Sequence, residues 1–151
     1  MAGRIATAFG LTFAIGFERE IRKSPAGDRT YSLVGLGSAS ITAVAAQNSP
    51  QAIAGIVTGV GFIGAGLLIR GGSGMVRGIT SAAAIFVSAA IGIVAGYGHL
   101  LLATLVAALV VVVLEVRNIP MLRALDARRY QGRVRADTAP PMGMDEMGPD
   151  D

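Results

Sequence analysis

The sequence predicts an all-α membrane protein with five transmembrane helices, on the basis of its composition, its segmentation and its charge pattern. Of the 151 residues, 52% are hydrophobic and 15% are charged, whereas about a quarter of the residues of a soluble domain are charged. The apolar residues fall into five stretches separated by short links. The predicted helices are Ile5–Phe17, Tyr31–Ala46, Gln51–Ile69, Ile79–Ala95 and His99–Val116.

The basic residues predict the topology. Of the 13 Lys and Arg residues, all except Arg4 follow the first, third or fifth stretch, and none lies in the links after the second and fourth. Positive charge is retained on the cytoplasmic side during insertion. We therefore expect a polytopic chain with its N-terminus outside and its C-terminus inside. Five buried core helices of a soluble protein are the alternative, but no amphipathic helix that could shield them precedes Ile119.

The first stretch, Ile5–Phe17, is shorter than the about 20 apolar residues that cross a bilayer. We expect that Arg4 extends to the far interface, that the bilayer thins locally, or that translation begins upstream of Met1. A cleaved signal peptide is the alternative. It is disfavoured because Glu18 to Glu20 follow at once, without a small-residue cleavage site.

The later stretches are expected to have different surroundings. The second carries hydroxyl residues, including Ser38 and Thr42, and should lie inside the bundle, away from lipid. The third is rich in glycine and is expected at the centre of the bundle. The fifth is almost purely aliphatic from Leu100 to Leu114 and should face lipid.

Glycines within the stretches indicate close packing of helices. Small residues let helix backbones approach each other in a membrane, and two Gly-x-x-x-Gly pairs place two glycines on one helix face. The alternative is that the third helix is interrupted and that its freed backbone groups line a polar cavity. The predicted packing residues are Gly55, Gly59, Gly61, Gly64, Gly66, Gly92 and Gly96.

Three segments follow from these patterns. Residues 1–118 form the predicted transmembrane domain. Residues 119–135 are basic, with apolar residues at helical spacing, and should lie on an anionic lipid leaflet. Residues 136–151 are rich in Asp, Pro, Met and Gly and should form a disordered acidic tail.

Several function classes are disfavoured. There is no cysteine and only one histidine, His99, so we expect no disulfide and no metal site. Nucleic-acid binding is not expected, because the basic residues are spread over several links and aromatic residues are few. The run from Gly59 to Gly64 matches the dinucleotide fingerprint, but it lies within an apolar stretch and no acidic residue follows at the required distance. We find no catalytic constellation and predict a protein that is not an enzyme and has no cofactor.

Candidate polar residues lie at the end of the first stretch and in the link that follows. Glu18 either pairs with Arg22 at headgroup level or serves as a cation ligand or a polar lock between helices. Asp28 either caps the next helix or acts with its neighbours Arg29 and Thr30, and Arg29 could also pair with Glu18. We predict Glu18, Asp28, Arg29 and Thr30 as ion or polar-lock candidates.

The glycine-rich link after the third stretch is a second candidate. Its glycines, Gly71, Gly72 and Gly74, could simply close a short loop, or they could turn backbone amides toward an anion or a lipid phosphate. The candidate residues there are Arg70, Arg77, Gly78 and Thr80.

Four motifs in order resemble one family of bacterial membrane proteins. The motifs are Gly16-Phe17-Glu18-Arg19-Glu20, Pro25-Ala26-Gly27-x-Arg29-Thr30, Gly59-Val60-Gly61-Phe62-Ile63-Gly64-Ala65-Gly66 and Val76-Arg77-Gly78-Ile79-Thr80-Ser81-Ala82-Ala83. Their order and spacing are similar to the MgtC/SapB family over roughly residues 5 to 116.

The resemblance implies a five-span domain in the bacterial plasma (inner) membrane. It implies a non-catalytic protein that modulates other membrane proteins, such as the proton-translocating ATP synthase, under magnesium limitation or acid stress. Transport of magnesium or protons is the alternative. Many members carry a C-terminal ACT-like domain, which we expect this chain to lack. The expected partners are the lipid bilayer, other membrane proteins and further copies of this chain.

Overall fold

The computed structural model describes residues 1–45, 49–69 and 78–115. These residues form helices without any strand, which confirms the all-α prediction. The helices are α1 (Ala2–Ile21), α2 (Asp28–Ala45), α3 (Pro50–Ile69), α4 (Ile79–Tyr97) and α5 (Leu100–Glu115). The chain divides into two compact units, residues 1–113 and 114–151. The predicted basic segment, 119–135, and the acidic tail, 136–151, lie outside the described residues.

Among the described residues, two helices are long and apolar enough to cross a membrane. They are Pro50–Leu68 of α3 and Ile79–Tyr97 of α4, each of 19 residues, and α5 is a shorter apolar helix. The first helix is longer than predicted, since α1 has 20 residues and includes Arg4 and Glu18. Hydropathy marks only the apolar part of a helix, whereas Arg and Glu favour helix and can extend it at either end.

Helix α2 packs against α1, α3 and α4. Its hydroxyl residues are buried as expected, but Leu33 and Val44 are exposed, so the helix does not lie wholly inside the bundle. Glycines on its neighbours allow the close approach. A Cβ atom added at Gly16 of α1 would lie 2.6 Å from the Cα of Asp28. On α4, a Cβ at Gly92 would lie 2.8 Å from the Cβ of Ser38, and one at Gly96 would lie 2.7 Å from the Cβ of Thr42. Both glycines of this α4 pair therefore lie in a backbone contact with α2.

The prediction that the third helix lies at the centre of the bundle is wrong. Helix α3 packs mainly against α4, and at Gly64 an added Cβ would lie 3.6 Å from the Cβ of Ala82. Its buried apolar side chains are Ile56 and Val60. The other four predicted packing glycines of α3 have no atom within 4 Å of an added Cβ, so they are not packing contacts within the described chain. These four are Gly55, Gly59, Gly61 and Gly66.

A groove remains between α2 and α3. It has a volume of about 600 Å³, and Gly37, Gly55 and Gly59 are among its lining residues. Glycine content alone could not distinguish this open face from a packed one, because the sequence does not show which helix lies opposite.

Most buried side chains of the bundle are small or hydroxyl-bearing, and the largest fully buried ones are Tyr31 and three isoleucines. All five phenylalanines of the chain are exposed, from 39% for Phe13 to 82% for Phe62. Three of them, Phe9, Phe13 and Phe17, stack along α1 with centroid distances of 5.8 and 6.2 Å. On α5 the leucines point outward as expected, and Ala103 and Ala107 are buried. Buried hydroxyl residues include Thr12, Ser32, Ser38, Thr42, Ser81 and Ser88.

Candidate functional site

The turn after α1 positions the first polar side chains of the site. Lys23 adopts the left-handed conformation with φ 53°. The Lys23 N–H donates to the Glu20 carbonyl at 2.9 Å, and the Ser24 N–H donates to the Arg19 carbonyl at 3.0 Å. This is the Schellman arrangement that ends many helices, although glycine is the usual residue at the left-handed position. It reverses the chain and places Ser24 beside α4.

Three helices meet in a polar cluster, which we define as Glu18, Arg19, Ser24, Tyr31 and Ser81. The hydroxyl oxygens of Ser24 and Ser81 are 2.7 Å apart. Arg19 Nη2 donates to Ser24 Oγ at 3.0 Å, and the Tyr31 hydroxyl donates to the Ser81 carbonyl at 3.3 Å. Through Ser24, these bonds connect α1 and the turn after it to the first turn of α4. Through Tyr31, they connect α2 to the first turn of α4 as well.

The Glu18 carboxylate forms ion pairs with Arg19 on α1 and with Arg22 directly after that helix. Its side chain is 13% exposed, with Oε1 3.4 Å from Arg22 Nε and Oε2 3.8 Å from Arg19 Nη1. The predicted pair with Arg22, one helical turn away, is therefore present. Because Glu18 also attracts the Arg19 side chain that reaches Ser24, it belongs to the contact between helices as well. The role of Glu18 as a cation ligand stays a prediction.

The other predicted polar candidates lie together, apart from Glu18, in a pocket of about 370 Å³. Asp28, Arg29 and Thr30 line it together with Glu20 and Gly27. Asp28 Oδ1 accepts the Arg29 N–H at 2.6 Å, so this carboxylate binds an amide in the first turn of α2. The Glu20 carboxylate covers Gly27 and leaves no space there for a Cβ. The Arg29 side chain is exposed.

The second candidate, the glycine-rich link, is described only at its end. Gly78 has φ 93° and precedes α4, and no side chain caps the helix there. Thr80 is exposed in the first turn of α4. Arg70 and Arg77, like Gly71 to Gly74, lie outside the described residues. The suggested anion contact of this link therefore stays a prediction.

Sequence reasoning missed four members of the polar cluster, namely Arg19, Ser24, Tyr31 and Ser81. Ser24 and Ser81 are 57 positions apart, so no local pattern could pair them. A weak signal existed, because Tyr31 and Ser81 are polar residues near the start of apolar stretches and would be buried there. Within residues 1–45, 49–69 and 78–115, no group of three or more His, Asp or Glu side chains could hold a metal ion.

The polar cluster and its supporting helices lie within a region that matches a known family. The sequence matches the MgtC family over residues 5–120. The chain belongs to the MgtC family. This match confirms the resemblance carried by the four motifs, and it spans all five helices of the MgtC-family chain.

Three curated relatives are each 42% identical to this chain over the aligned residues. Protein MgtC of Brucella abortus (strain 2308) is 42% identical over 102 residues, which are 64% of this chain and 42% of that protein. An Escherichia coli (strain K12) protein named "Putative magnesium transporter YhiD" is 42% identical over 117 residues, which are 68% of this chain and 54% of that protein.

Protein MgtC of Salmonella typhimurium (strain 14028s / SGSC 2262) is 42% identical over 89 residues, which are 56% of this chain and 38% of that protein. The chain thus spans about half the length, or less, of these curated MgtC-family relatives. No solved structure matches it.

Proposed function

We propose that this MgtC-family chain is a non-catalytic, multi-pass protein of the bacterial inner membrane that modulates other membrane proteins when magnesium is scarce or the medium is acidic. The observation that carries the membrane assignment is the exposure of all five phenylalanines, while most of the buried side chains are small or hydroxyl-bearing. Water-soluble proteins bury phenylalanine more often than most residues. In lipid, helices associate instead through small residues that pack closely.

The arrangement of α1 and α4 supports the proposed topology. Arg4, near the start of α1, contacts Gly96 at the end of α4, whereas Ser24 after α1 contacts Ser81 at the start of α4. The two helices are therefore antiparallel. Successive membrane crossings alternate in direction, so this orientation is expected when the two crossings α2 and α3 lie between α1 and α4, whichever side holds the N-terminus.

Helices α1, α2 and α4 pack against one another, and we call their shared contact the α1–α2–α4 seam. Its close packing leaves little room for an ion path and therefore favours modulation over transport. The Thr12 side chain fills the space beside Gly35, and a Cβ at Gly92 would lie 2.5 Å from the Gly35 carbonyl oxygen. Two buried hydroxyls there donate to carbonyls of their own helices, Thr12 to Ala8 at 2.8 Å and Ser88 to Ala84 at 3.0 Å. The centre of this seam is filled by protein atoms.

The open face of α3 is the proposed contact with other proteins and with further copies of the chain. Gly55 and Gly59 line the groove and have free space around them. By family resemblance, the proton-translocating ATP synthase is the first partner to test. Affinity capture from native membranes, grown with and without magnesium limitation, should recover the partner with the parent chain and lose it with Gly59→Leu.

Gly10→Leu is the matched control for this capture, because Gly10 on α1 also has no atom within 4 Å of an added Cβ. Its capture should equal that of the parent chain. Equal recovery with Gly59→Leu and Gly10→Leu would contradict a partner contact on α3.

Transport of magnesium or protons is the second candidate, and the name of the Escherichia coli relative favours it. Purified chain in proteoliposomes, with an indicator for Mg²⁺ or for pH inside, separates the two functions. The modulator proposal expects no ion flux above that of empty vesicles. Flux that disappears with Glu18→Gln would establish transport and overturn the proposal.

A further inference from the structure

The C-terminal end of α4 is closed partly by its own backbone. A helix leaves its last four carbonyl groups without partners inside the helix. Gly98 adopts the left-handed conformation with φ 97°. The Gly98 N–H donates to the Ala95 carbonyl at 2.9 Å, and the His99 N–H donates to the Val94 carbonyl at 3.1 Å. These bonds form a Schellman arrangement and leave the Gly96 carbonyl to another donor.

That donor comes from a different helix. Arg4 Nη1 of α1 donates to the Gly96 carbonyl oxygen at 3.4 Å. The rest of the guanidinium lies against Gly98, since a Cβ there would be 2.8 Å from Arg4 Cζ and 3.0 Å from its Nε and Nη2. Gly98 is thus required twice, for its positive φ and for the space that the guanidinium occupies.

Two general costs make this position of an arginine unusual. Arg4 lies in the first turn of α1, where the positive end of the helix dipole disfavours a cation. The charge pattern of the sequence assigns the other twelve Lys and Arg residues to the opposite end of the bundle, so Arg4 is the exception. The negative end of the α4 dipole, together with the free Gly96 carbonyl, offsets both costs at this point.

We propose that Arg4 is an interhelical cap, in which a side chain of α1 closes the C-terminus of α4 and clamps the two helices together. The Ser24–Ser81 contact holds the same helix pair at the opposite end. Because α2 packs against both α1 and α4, joining these two helices at both ends also fixes the position of α2. This device is independent of whether the protein modulates partners or moves ions.

Hydrogen exchange of the full chain in lipid nanodiscs tests the cap. In Arg4→Gln the amides of Gly98 and His99 should exchange roughly tenfold faster, because local opening no longer breaks a charged contact. Arg4→Lys should lie between the two, since an ammonium keeps the charge but not the planar group that covers Gly98. The double variant Ala2→Arg/Arg4→Gln keeps the net charge and should behave like Arg4→Gln.

A second measurement shows that the variants remain folded. The chain has no cysteine, so Ser24→Cys/Ser81→Cys can be oxidised to a disulfide at the far end of the same helix pair. The disulfide should form as fast in the Arg4→Gln background as with Arg4 present.

Three results would overturn the cap. The first is unchanged exchange at Gly98 and His99 in Arg4→Gln. The second is full protection in the relocated-charge variant, which would show that net charge suffices. The third is loss of the 24–81 disulfide in Arg4→Gln, which would make the effect global instead of local.

Discussion

Helices α3 and α4 carry the same Gly-x-x-x-Gly spacing in opposite surroundings. On α4, Gly92 and Gly96 contact the backbone of α2, while on α3, Gly55 and Gly59 face open space. The difference lies in what stands opposite. Helix α2 presents Ser38 and Thr42 to the α4 glycines, at distances that no larger side chain would allow. The same spacing therefore serves the fold on one helix and is free for an external contact on the other.

The largest expected effect is on the packed glycine. Gly92→Leu should destabilise the bundle by about 3 kcal/mol, because an overpacked interface forces backbones apart. Gly59→Leu should change stability by less than about 0.5 kcal/mol, as exposed sites generally do. Thermal unfolding in one detergent measures both. Equal losses in the two variants would show that α3 is packed as tightly as α4.

A smaller difference is expected between two hydroxyl residues. Ser81→Ala on α4 removes a contact with Ser24 of another segment and should cost about 1–2 kcal/mol. Thr58→Ala on α3 removes only a bond of 3.0 Å to the Ala54 carbonyl of its own helix and should be nearly neutral.

The combination with Ser24→Ala checks the origin of the Ser81 effect by the same unfolding measurement. The double variant should lose less than the sum of the two single variants, because the two hydroxyls share one bond. Additive losses would contradict a direct contact between them.

The smallest expected effect concerns self-association through α3. Gly59→Leu should weaken association of the chain in lipid by roughly 1 kcal/mol, the order measured for interhelical contacts in membranes. Energy transfer between labelled copies in liposomes measures it, with Gly10→Leu as the control. Association that is equal in both variants would remove α3 as the contact between copies.

The sequence predicted the helices well because each one is an apolar segment bounded by polar or glycine residues. It also predicted the buried hydroxyl residues of α2, although other residues of that helix are exposed, and the outward leucines of α5. These features depend on composition within one segment. The central position expected for α3 was wrong, because glycine content indicates a capacity for close contact but does not identify the neighbour.

Features that depend on two segments could not be predicted. The Ser24–Ser81 contact and the Arg4–Gly96 contact join positions 57 and 92 residues apart. The turn that positions Ser24 depends on Lys23 with positive φ, where a sequence-based prediction would look for glycine. Glu18 and Arg22 were predictable as a pair since they are one helical turn apart.

The exposed phenylalanines imply an inverted pattern of tolerance to mutation. In a water-soluble protein the surface accepts most polar changes and the core accepts apolar residues of similar size. Here Phe9, Phe13 and Phe17 should accept exchange for other bulky apolar residues but not for charged ones. Positions such as Gly16 and Ser88 should accept only residues of comparable volume. Among relatives, outward-facing positions should therefore vary among bulky apolar residues, and closely packed positions such as these should keep small residues.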